Sequence, residues 1–268
     1  MAIYDCFQFF NEEHILDLRF NILNNFVDFF VIAESTCDHQ GNIKKLNFDI
    51  NKYKKFKKKI IHVVVDDTLE SIKKKHIGQN SLVERHQRNS IIKGLKRCQD
   101  DDLVMISDVD EIPDMNKLNL FNKNSYAVFL QKKYDYKLNL LNETEGDWFG
   151  TKVCLKKNLK SPQWLRDLKF KKYPFWRIDK VKNIQIIKNG GWHFSYLQSP
   201  EEILKKISSF SHGERNTPEF ANKKNIQDKI KLGENIFDLG FSYKKVQIDD
   251  SFPDYIFQNK DKLKDWIT

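Results

Sequence analysis

Short apolar runs alternate with helix-like stretches through the first half of the chain. Apolar residues that recur every three or four positions in 12–23 and 81–98 favour amphipathic helices, whereas continuous apolar runs favour buried strands. The predicted strands cover residues 2–10, 27–33, 60–65, 103–106 and 125–131. Because helices separate these strands, the pattern predicts βαβ units and an α/β fold with a mainly parallel sheet.

The second half of the chain has a less regular pattern. Aromatic residues and lysines are interleaved from residue 134 to residue 196. This mixture favours binding loops and a closing β element over further βαβ units. Helical periodicity returns at residues 201–210 and 225–235, which predicts a helical C-terminal tail.

The composition is that of a folded protein. The chain has 268 residues, of which 40% are hydrophobic, so it can build a core and is not disordered. It contains no apolar run of about 18 residues and no signal-peptide pattern, which predicts a cytoplasmic location. Its four cysteines are scattered and form no C-x-x-C pair, which argues against a zinc or redox motif.

The formal net charge of +9 bears on possible partners. A basic surface attracts anionic substrates and favours peripheral contact with an anionic membrane. Nucleic-acid binding is the rival interpretation. However, the lysine clusters at 54–59 and 73–75 lie on short polar stretches that no recognised nucleic-acid module surrounds. A solvated face is therefore favoured, and no nucleic-acid partner is predicted.

Carboxylates follow three of the predicted strands. Glu34, Asp66 and Asp108 each come at or directly after the end of an apolar run. In open parallel sheets, ligands bind outside the carboxyl ends of the strands. Carboxylates that converge there are costly unless a cation, a hydroxyl-rich ligand or protein donors meet them. The sequence therefore predicts a ligand site at this edge.

Asp108 and Asp110 form a D-x-D pattern after the strand at 103–106. Alternate residues of an extended chain point the same way, so both carboxylates are expected to reach one divalent ion. Hard oxygen ligands suit Mn²⁺ or Mg²⁺. In sugar transfer from a nucleoside diphosphate, such an ion neutralises the charge that builds on the departing diphosphate.

Two other interpretations of this pattern remain open. Asp110 or Glu111 would be a helix N-cap if a helix began near Pro113. Haloacid-dehalogenase-like phosphatases also place D-x-D at a strand end, but after their first strand and followed by Gly and Thr or Val. Here the pattern comes deep in the chain and continues with Glu111 and Ile112, which favours the metal interpretation.

Five blocks of the chain, in order, resemble glycosyltransferase family 17. They are IYDCFQFFNE at 3–12, FNILNNFVDFFVIAEST at 20–36, ERHQRN at 84–89, ISDVDEIP at 106–113 and GGWHFSYL at 190–197. The resemblance extends over residues 3–215, and the family includes β-1,4-mannosyl-glycoprotein N-acetylglucosaminyltransferases. It implies a GT-A-like (Rossmann-like) fold, a UDP-sugar donor such as UDP-GlcNAc, inversion at the anomeric carbon and a glycan acceptor.

The resemblance also suggests how the chain is divided. We expect one GT-A-like domain over residues 1–268. Within it, residues 1–131 form the nucleotide-sugar-binding half, residues 132–200 the acceptor side and residues 201–268 the helical tail.

Residue types and the resemblance together predict the donor and metal contacts. Arg85, Arg88 and Asn89 share one helix face, where guanidinium forks suit a diphosphate. His193 follows two glycines and is expected to join the metal ligands. The predicted metal ligands are Asp108, Asp110 and His193. The predicted nucleotide-sugar contacts are Phe7, Glu34, Asp66, Arg85, Arg88, Asn89, Ser107, Asp108 and Val109.

Structural roles compete with several of these assignments. Phe7, and Phe10 beside it, have a core role as the default, and so does a histidine such as His193 on an apolar stretch. Glu34 and Asp66 would serve equally well to cap the next element. The helix face with the two arginines would be an ordinary solvent-exposed face.

An inverting transfer needs a general base near the acceptor hydroxyl. The first choice is Asp147, because an acid beside a tryptophan in a Gly-flanked loop suits an acceptor site. Glu111 and Asp179 are the alternatives. A closing loop over the donor is expected to include Arg166, His212 and Glu214.

The pattern as a whole predicts a metal-dependent glycosyltransferase. A non-catalytic nucleotide- or glycan-binding module is the first alternative, and it would bind UDP or a glycan without turnover. A basic nucleic-acid-binding protein is the second, and its binding would depend strongly on salt.

Overall fold

The computed structural model describes residues 1–75, 81–123, 125–170, 173–182, 184–209, 217 and 220–268. His212 and Glu214, which were assigned to a closing loop, lie outside the described residues. No helix in the described part of the chain combines the length and apolar character needed to cross a bilayer.

Strands dominate the centre of the molecule. They are β1 (Ile3–Gln8), β2 (Phe29–Ser35), β3 (Ile60–Val65), β4 (Leu103–Asp108), β5 (Glu111–Pro113), β6 (Tyr126–Asp135), β7 (Leu140–Asn142), β8 (Asp147–Leu155), β9 (Ile184–Ile187), β10 (Gly191–Ser195) and β11 (Tyr243–Lys245).

Helices flank the sheet. The α-helices are α1 (Glu13–Leu23), α2 (Leu69–Lys75), α3 (Leu82–Ser90), α4 (Pro162–Asp167), α5 (Pro200–Ser209), α6 (Lys223–Leu232) and α7 (Asp254–Gln258). Shorter 3-10 helices cover Ile50–Lys59, Ile91–Leu95, Met115–Leu120, Lys156–Asn158 and Lys264–Trp266.

The sheet is mixed and has the order β11-β7-β6-β8-β4-β1-β2-β3. Strands β4, β1, β2 and β3 run parallel to one another, and β8 joins β4 antiparallel. Strand β10 lies between β5 and β6, and β9 also pairs with β6. The predicted α/β class is confirmed, and its parallel part brings the carboxyl ends of β1, β2 and β4 to one edge.

Both faces of the parallel strands are buried. In β4, Leu103 and Met105 pack into the core on the α1 side, whereas Val104 and Ile106 pack into the core on the opposite side. Successive strand residues face opposite sides, so a strand covered on both faces reads as a continuous apolar run. This explains why the parallel strands were recognisable in the sequence.

Some elements have ends that differ from the predicted ones. The strand predicted at 60–65 is confirmed as Ile60–Val65, whereas the helix predicted at 81–98 is α-helical only to Ser90 and then continues as a 3-10 helix to Leu95. Gly94 lies in that 3-10 helix, where a Cβ would meet the side chain of Val31 at 2.4 Å. The tighter helix therefore packs closely on β2.

The prediction of a loop around Asp147 is wrong. Asp147 is the first residue of β8, a nine-residue strand that pairs with β4 and β6. Its polar, glycine-containing start hides the strand in the sequence, because the pairing partners lie far away along the chain. The tail after residue 200 contains α5, α6 and α7 and also strand β11.

Candidate functional site

A buried arginine supports the loop that follows β4. Arg19 of α1 is fully buried and forms an ion pair with Asp5 of β1, with Nη2 and Oδ1 2.5 Å apart. Its Nε donates to the other oxygen of Asp5 at 2.7 Å, and Nη2 also donates to Ser107 Oγ at 2.6 Å. The paired geometry satisfies both charges in the core, where an unpaired charge would be costly.

The same guanidinium holds the loop backbone. Arg19 Nη1 donates to the carbonyl oxygens of Asp108, Val109 and Glu111 at 3.2, 3.1 and 2.8 Å. Buried carbonyl groups need donors, and a loop between two short strands cannot supply its own. Arg19 therefore fixes the path of residues 108–111. Ser107 and Val109, which were predicted as nucleotide-sugar contacts, are buried in this framework, and that predicted role stays a prediction.

Asp108 lies between two arginines. Arg88 Nη2 donates to Oδ1 at 3.0 Å, and Arg166 Nη2 donates to Oδ2 at 2.6 Å. Loss of water contact acts to raise the pKa of Asp108, but Arg166 and Arg88 outweigh it and hold that pKa well below its usual value. Asp108 is therefore a carboxylate at neutral pH, with an arginine on each oxygen.

Glu111 is the most completely bonded carboxylate of the site. Arg166 donates to both of its oxygens, at 2.8 and 2.7 Å. The backbone N–H of Asp108 and the indole N–H of Trp148 add bonds of 3.0 and 2.6 Å. Glu111 is fully buried, and these contacts hold Arg166 and Trp148 in place. Its predicted role as a base stays a prediction.

Asp110 has different neighbours from Asp108. His193 Nε2 lies 3.6 Å from Asp110 Oδ1, and Lys206 Nζ lies 3.9 Å from Oδ2. Lys206 also pairs with Glu12 at 3.2 Å. Desolvation acts to raise the pKa of Asp110, but His193 and Lys206 lower it overall. Asp108 thus faces two arginines, whereas Asp110 faces a histidine and a lysine.

The backbone accounts for this difference. Asp108 ends β4, Val109 and Asp110 form a turn, and Glu111 begins β5. The expectation that Asp108 and Asp110 point the same way rested on an extended chain, and the turn removes that basis. Strand β10 then brings His193 beside the turn, because His193 pairs with Glu111 and the Phe194 N–H donates to the Asp110 carbonyl at 2.9 Å.

The donor set fits a divalent cation in part. His193 is buried, its Nε2 is the ring nitrogen that faces Asp110, and its Nδ1 has no hydrogen-bond partner within the described chain. Asp108 already has an arginine on each oxygen. Among the residues that the structure describes, no group of three or more His, Cys, Asp or Glu side chains is arranged to hold a metal ion. Asp110 and His193 are the residues best suited to contribute ligands.

A small pocket adjoins this loop. It has a volume of about 40 Å³ and reaches Lys206 and Glu12, which link it to Asp110. Phe10 and Gln87 also line it, together with Cys37, Asp38, His39 and Lys44. Burial lowers the pKa of His39, which favours its neutral form. Phe10 lines this pocket, whereas Phe7 is fully buried in the core, with the Arg19 guanidinium 4.6 Å from its ring centre.

Glu34 shapes the wall of this pocket. Its buried carboxylate accepts the backbone N–H groups of Asn47 and Phe48 and pairs with Lys44 at 3.0 Å. Desolvation acts to raise the pKa of Glu34, but His62, Asn47 and Lys44 lower it overall. These contacts fix the segment after β2 that carries Lys44. Asp66, also predicted as a donor contact, is exposed after β3.

The helix face with the predicted arginines packs against α4. Arg85 pairs with Asp167 at 2.7 Å, and the Asn89 side chain accepts the N–H of Gln163 at 3.0 Å. Arg88 donates to Gln163 at 2.7 Å as well as to Asp108. Of the three predicted residues on α3, Arg88 alone is bonded to the loop carboxylates. Arg85 and Asn89 position α4, which carries Arg166.

The remaining catalytic candidates lie apart. Asp147 is exposed at the start of β8, next to Trp148, whose ring centre lies 4.9 Å from that of His193. Asp179 is exposed and paired with Arg177 at 2.7 Å. The base predicted at Asp147 stays a prediction, and its neighbour Trp148 is the residue that contacts the loop.

Sequence reasoning missed three contributors to the site. Arg19 and Lys206 were not singled out, although a charged residue on the apolar stripe of α1 was a usable signal. Asp135 is a buried carboxyl at the end of β6, whose pKa is raised by burial, and its Oδ1 accepts no hydrogen bond in the described chain. Its position beside β10 follows from strand pairing that the sequence does not show.

The structure defines an α/β protein with a cluster of charged side chains at the carboxyl edge of a Rossmann-like sheet. The chain belongs to glycosyltransferase family 17, whose family model matches residues 1–248. The protein is therefore a glycosyltransferase, as its sequence blocks predicted. No curated protein matches the chain.

Proposed function

We propose that this glycosyltransferase moves GlcNAc from UDP-GlcNAc to a hydroxyl group of a glycan, with inversion and with Mn²⁺ or Mg²⁺. The observation that carries the proposal is the charged loop at residues 108–111, with Arg88, Arg166 and Lys206 bonded to its carboxylates. The adjoining pocket of about 40 Å³, which Lys206 lines, offers room for a group about the size of a water molecule.

The charges around the loop favour a cation requirement. Within the described residues, four carboxylates meet there, namely Asp108, Asp110, Glu111 and Glu12. The side-chain cations paired with them are Arg166, Lys206 and Arg88, and Arg88 is also paired with Glu84. Even with His193 protonated, positive charge only balances negative charge. A diphosphate would add further negative charge, so a divalent cation is expected to accompany it.

Asp110 and His193 would contribute ligands to that cation, which when bound would neutralise charge on the leaving diphosphate. The chain itself fixes the positive charges of Arg88 and Arg166 at the loop through their bonds to its carboxylates, and fixed charges need no rearrangement when negative charge develops nearby. Trp148, fixed by Glu111, presents its ring beside His193, where a sugar face can stack on it.

Asp147 is the proposed base. It is exposed at the start of β8, so an acceptor hydroxyl can reach it, whereas all contacts of Glu111 are made within the protein. The base takes the proton of the acceptor hydroxyl as that oxygen attacks the anomeric carbon.

UDP release from a panel of UDP-sugars, with and without Mn²⁺, tests the proposal. We expect release from UDP-GlcNAc that needs the metal and increases with a glycan acceptor. Asp110→Asn should remove the metal-dependent part of UDP binding in calorimetry. Asp101→Asn, at an exposed carboxylate paired with Lys157, is the matched control and should behave as the wild type. No release from any donor with metal present would contradict the enzymatic proposal.

A further inference from the structure

A second cleft lies at the end of the sheet away from Asp108. Helix α1 starts near the carboxyl edge and ends at Leu23, about 16 Å further on at 1.5 Å per residue. The cleft has a volume of about 840 Å³ and is lined by the end of α1, the segment after β5, the start of β10 and residues 250–258. The loop carboxylates and their arginines are not among its lining residues, so it is a separate site.

Side-chain amides are frequent in this cleft. Five asparagines line it: Asn21, Asn24, Asn25, Asn116 and Asn189. Each carboxamide can donate and accept hydrogen bonds, as can a sugar hydroxyl. Asn21 and Asn24 donate within the protein, whereas the side chains of Asn116 and Asn189 make no hydrogen bond within the described chain. The lining therefore matches a hydroxyl-rich ligand.

Aromatic residues add an apolar surface. Trp192 and Tyr255 line the cleft and pack against the core, and both are half-buried. Successive strand residues face opposite sides, so Trp192 lies on the other face of β10 from His193. A half-exposed ring held by the core can stack on the C–H face of a pyranose without losing further side-chain freedom.

The charges of the cleft balance. Three lysines line it (Lys55, Lys117 and Lys132), and three aspartates line it as well (Asp114, Asp250 and Asp254). The chain as a whole carries a formal net charge of +9. A site for a nucleotide or another polyanion would be expected to show an excess of cations. The balance favours an uncharged ligand.

We propose that this cleft binds a neutral oligosaccharide. Its volume falls within the range of about 300–1,000 Å³ that small-molecule sites occupy. Free polysaccharide and a glycan carried on a protein share this chemistry. Binding here needs no donor, no metal and no turnover, so the proposal goes beyond the transferase reaction and can stand if that reaction is different.

Binding of named probes to the whole chain tests the proposal. Chitotetraose and mannopentaose serve as neutral probes, and UDP and a heparin tetrasaccharide serve as anionic controls. Calorimetry and saturation-transfer NMR should show a neutral probe binding with an affinity on the order of millimolar or tighter. Asp110→Asn should bind that probe as the wild type does, because the cleft is separate from the loop.

Two sets of variants locate the binding. Trp192→Ala should weaken it by roughly tenfold or more. Because Trp192 also packs on the core, the double variant Asn25→Ala/Asn116→Ala, at two exposed positions, gives an independent test and should weaken binding similarly. Trp176→Ala removes an exposed tryptophan outside the cleft and should change nothing.

Three results would overturn the proposal. The first is that neither neutral probe binds, and the second is that the anionic controls bind in the cleft instead. The third comes from a comparison of the same glycan free and attached to a glycopeptide. Binding of the glycopeptide alone would show a peptide site and overturn the proposal. Equal affinities would support recognition of the sugar.

Discussion

The buried ion pair between Arg19 and Asp5 makes a sharp prediction about stability. Arg19→Met keeps an apolar stem of similar length but removes all six hydrogen bonds of the guanidinium. Asp5 would then be a fully buried carboxylate without its cation. Breaking a buried pair from one side costs about 3–5 kcal/mol.

The loop carbonyl groups add to this loss. The carbonyl groups of Asp108 and Val109 would lose the donor that Arg19 supplies, at a cost on the order of 1 kcal/mol each where water cannot replace it. The carbonyl group of Glu111 would keep the Thr151 hydroxyl, which donates to it at 3.1 Å. A domain has a total stability of about 5–15 kcal/mol, so Arg19→Met should lose a large part of it. UDP binding should weaken too, because the loop that holds Asp108 and Asp110 loses its support.

Urea unfolding of a double-mutant cycle measures the effect. We expect the midpoint to fall strongly in Arg19→Met with little change in slope. The double variant Arg19→Met/Asp5→Asn should be about 1–3 kcal/mol more stable than the sum of the two single effects predicts. Arg97→Met, at an exposed arginine, is the control and should stay within about 0.5 kcal/mol of the wild type.

Two outcomes would refute this reasoning. If Arg19→Met cost less than about 1 kcal/mol, the pair would not be the support that its burial implies. If the double variant lost the full sum of the single effects, the two charges would not be coupled.

Three further predictions concern other parts of the chain. Burial lowers the pKa of Lys152 to about 8 from 10.5, so the unfolded chain holds this proton more tightly between those pH values. The free energy of unfolding should therefore rise with pH across that window, by up to about 3 kcal/mol, and Lys152→Met should lose this rise in urea unfolding at pH 7 and pH 10. Arg166→Lys keeps the positive charge but loses the two-pronged guanidinium that binds both oxygens of Glu111. We therefore expect kcat/KM for UDP release to fall by roughly 100-fold. An unchanged kcat/KM would show that Arg166 has no part in the reaction. The membrane contact predicted from net charge is best tested at Trp176, whose side chain is 65% exposed. Trp176→Ser should reduce sedimentation of the protein with phosphatidylserine vesicles. Ile43→Ser, at a residue that is 95% exposed, is the control and should not reduce it.

The parallel half of the sheet was predictable because burial on both faces leaves a mark in the sequence. Ile60–Val65 and Leu103–Asp108 are apolar over most of their length and are flanked by helices, so their class and nearly their bounds could be predicted. Strand β8 was missed because its start contains Asp147 and Gly150, which are typical of loops. Its strand structure depends on β4 and β6, and no local pattern reports that pairing.

The place of the D-x-D pattern in the fold was predictable, whereas its contacts were not. The pattern was expected at the carboxyl edge of the sheet, and Asp108 does end β4 there. Arg166 binds the carboxylates of Asp108 and Glu111. It lies 58 positions after Asp108, on a six-residue helix. Nothing in the local sequence separates Arg166 from Arg85, which the structure uses to hold α4. Only the folded chain decides which arginine reaches the loop.

The two aspartates of the D-x-D pattern are therefore not equivalent. An extended chain would give them one shared task, but the turn at Val109 and Asp110 gives each its own surroundings. Asp108 anchors Arg88 and Arg166, which keeps two guanidinium groups at the edge of the sheet. Asp110 faces His193, whose second nitrogen is without a partner in the described chain. Two fixed guanidinium groups and an Asp–His pair thus lie side by side, and this is the arrangement on which the proposed neutralisation of a leaving diphosphate rests.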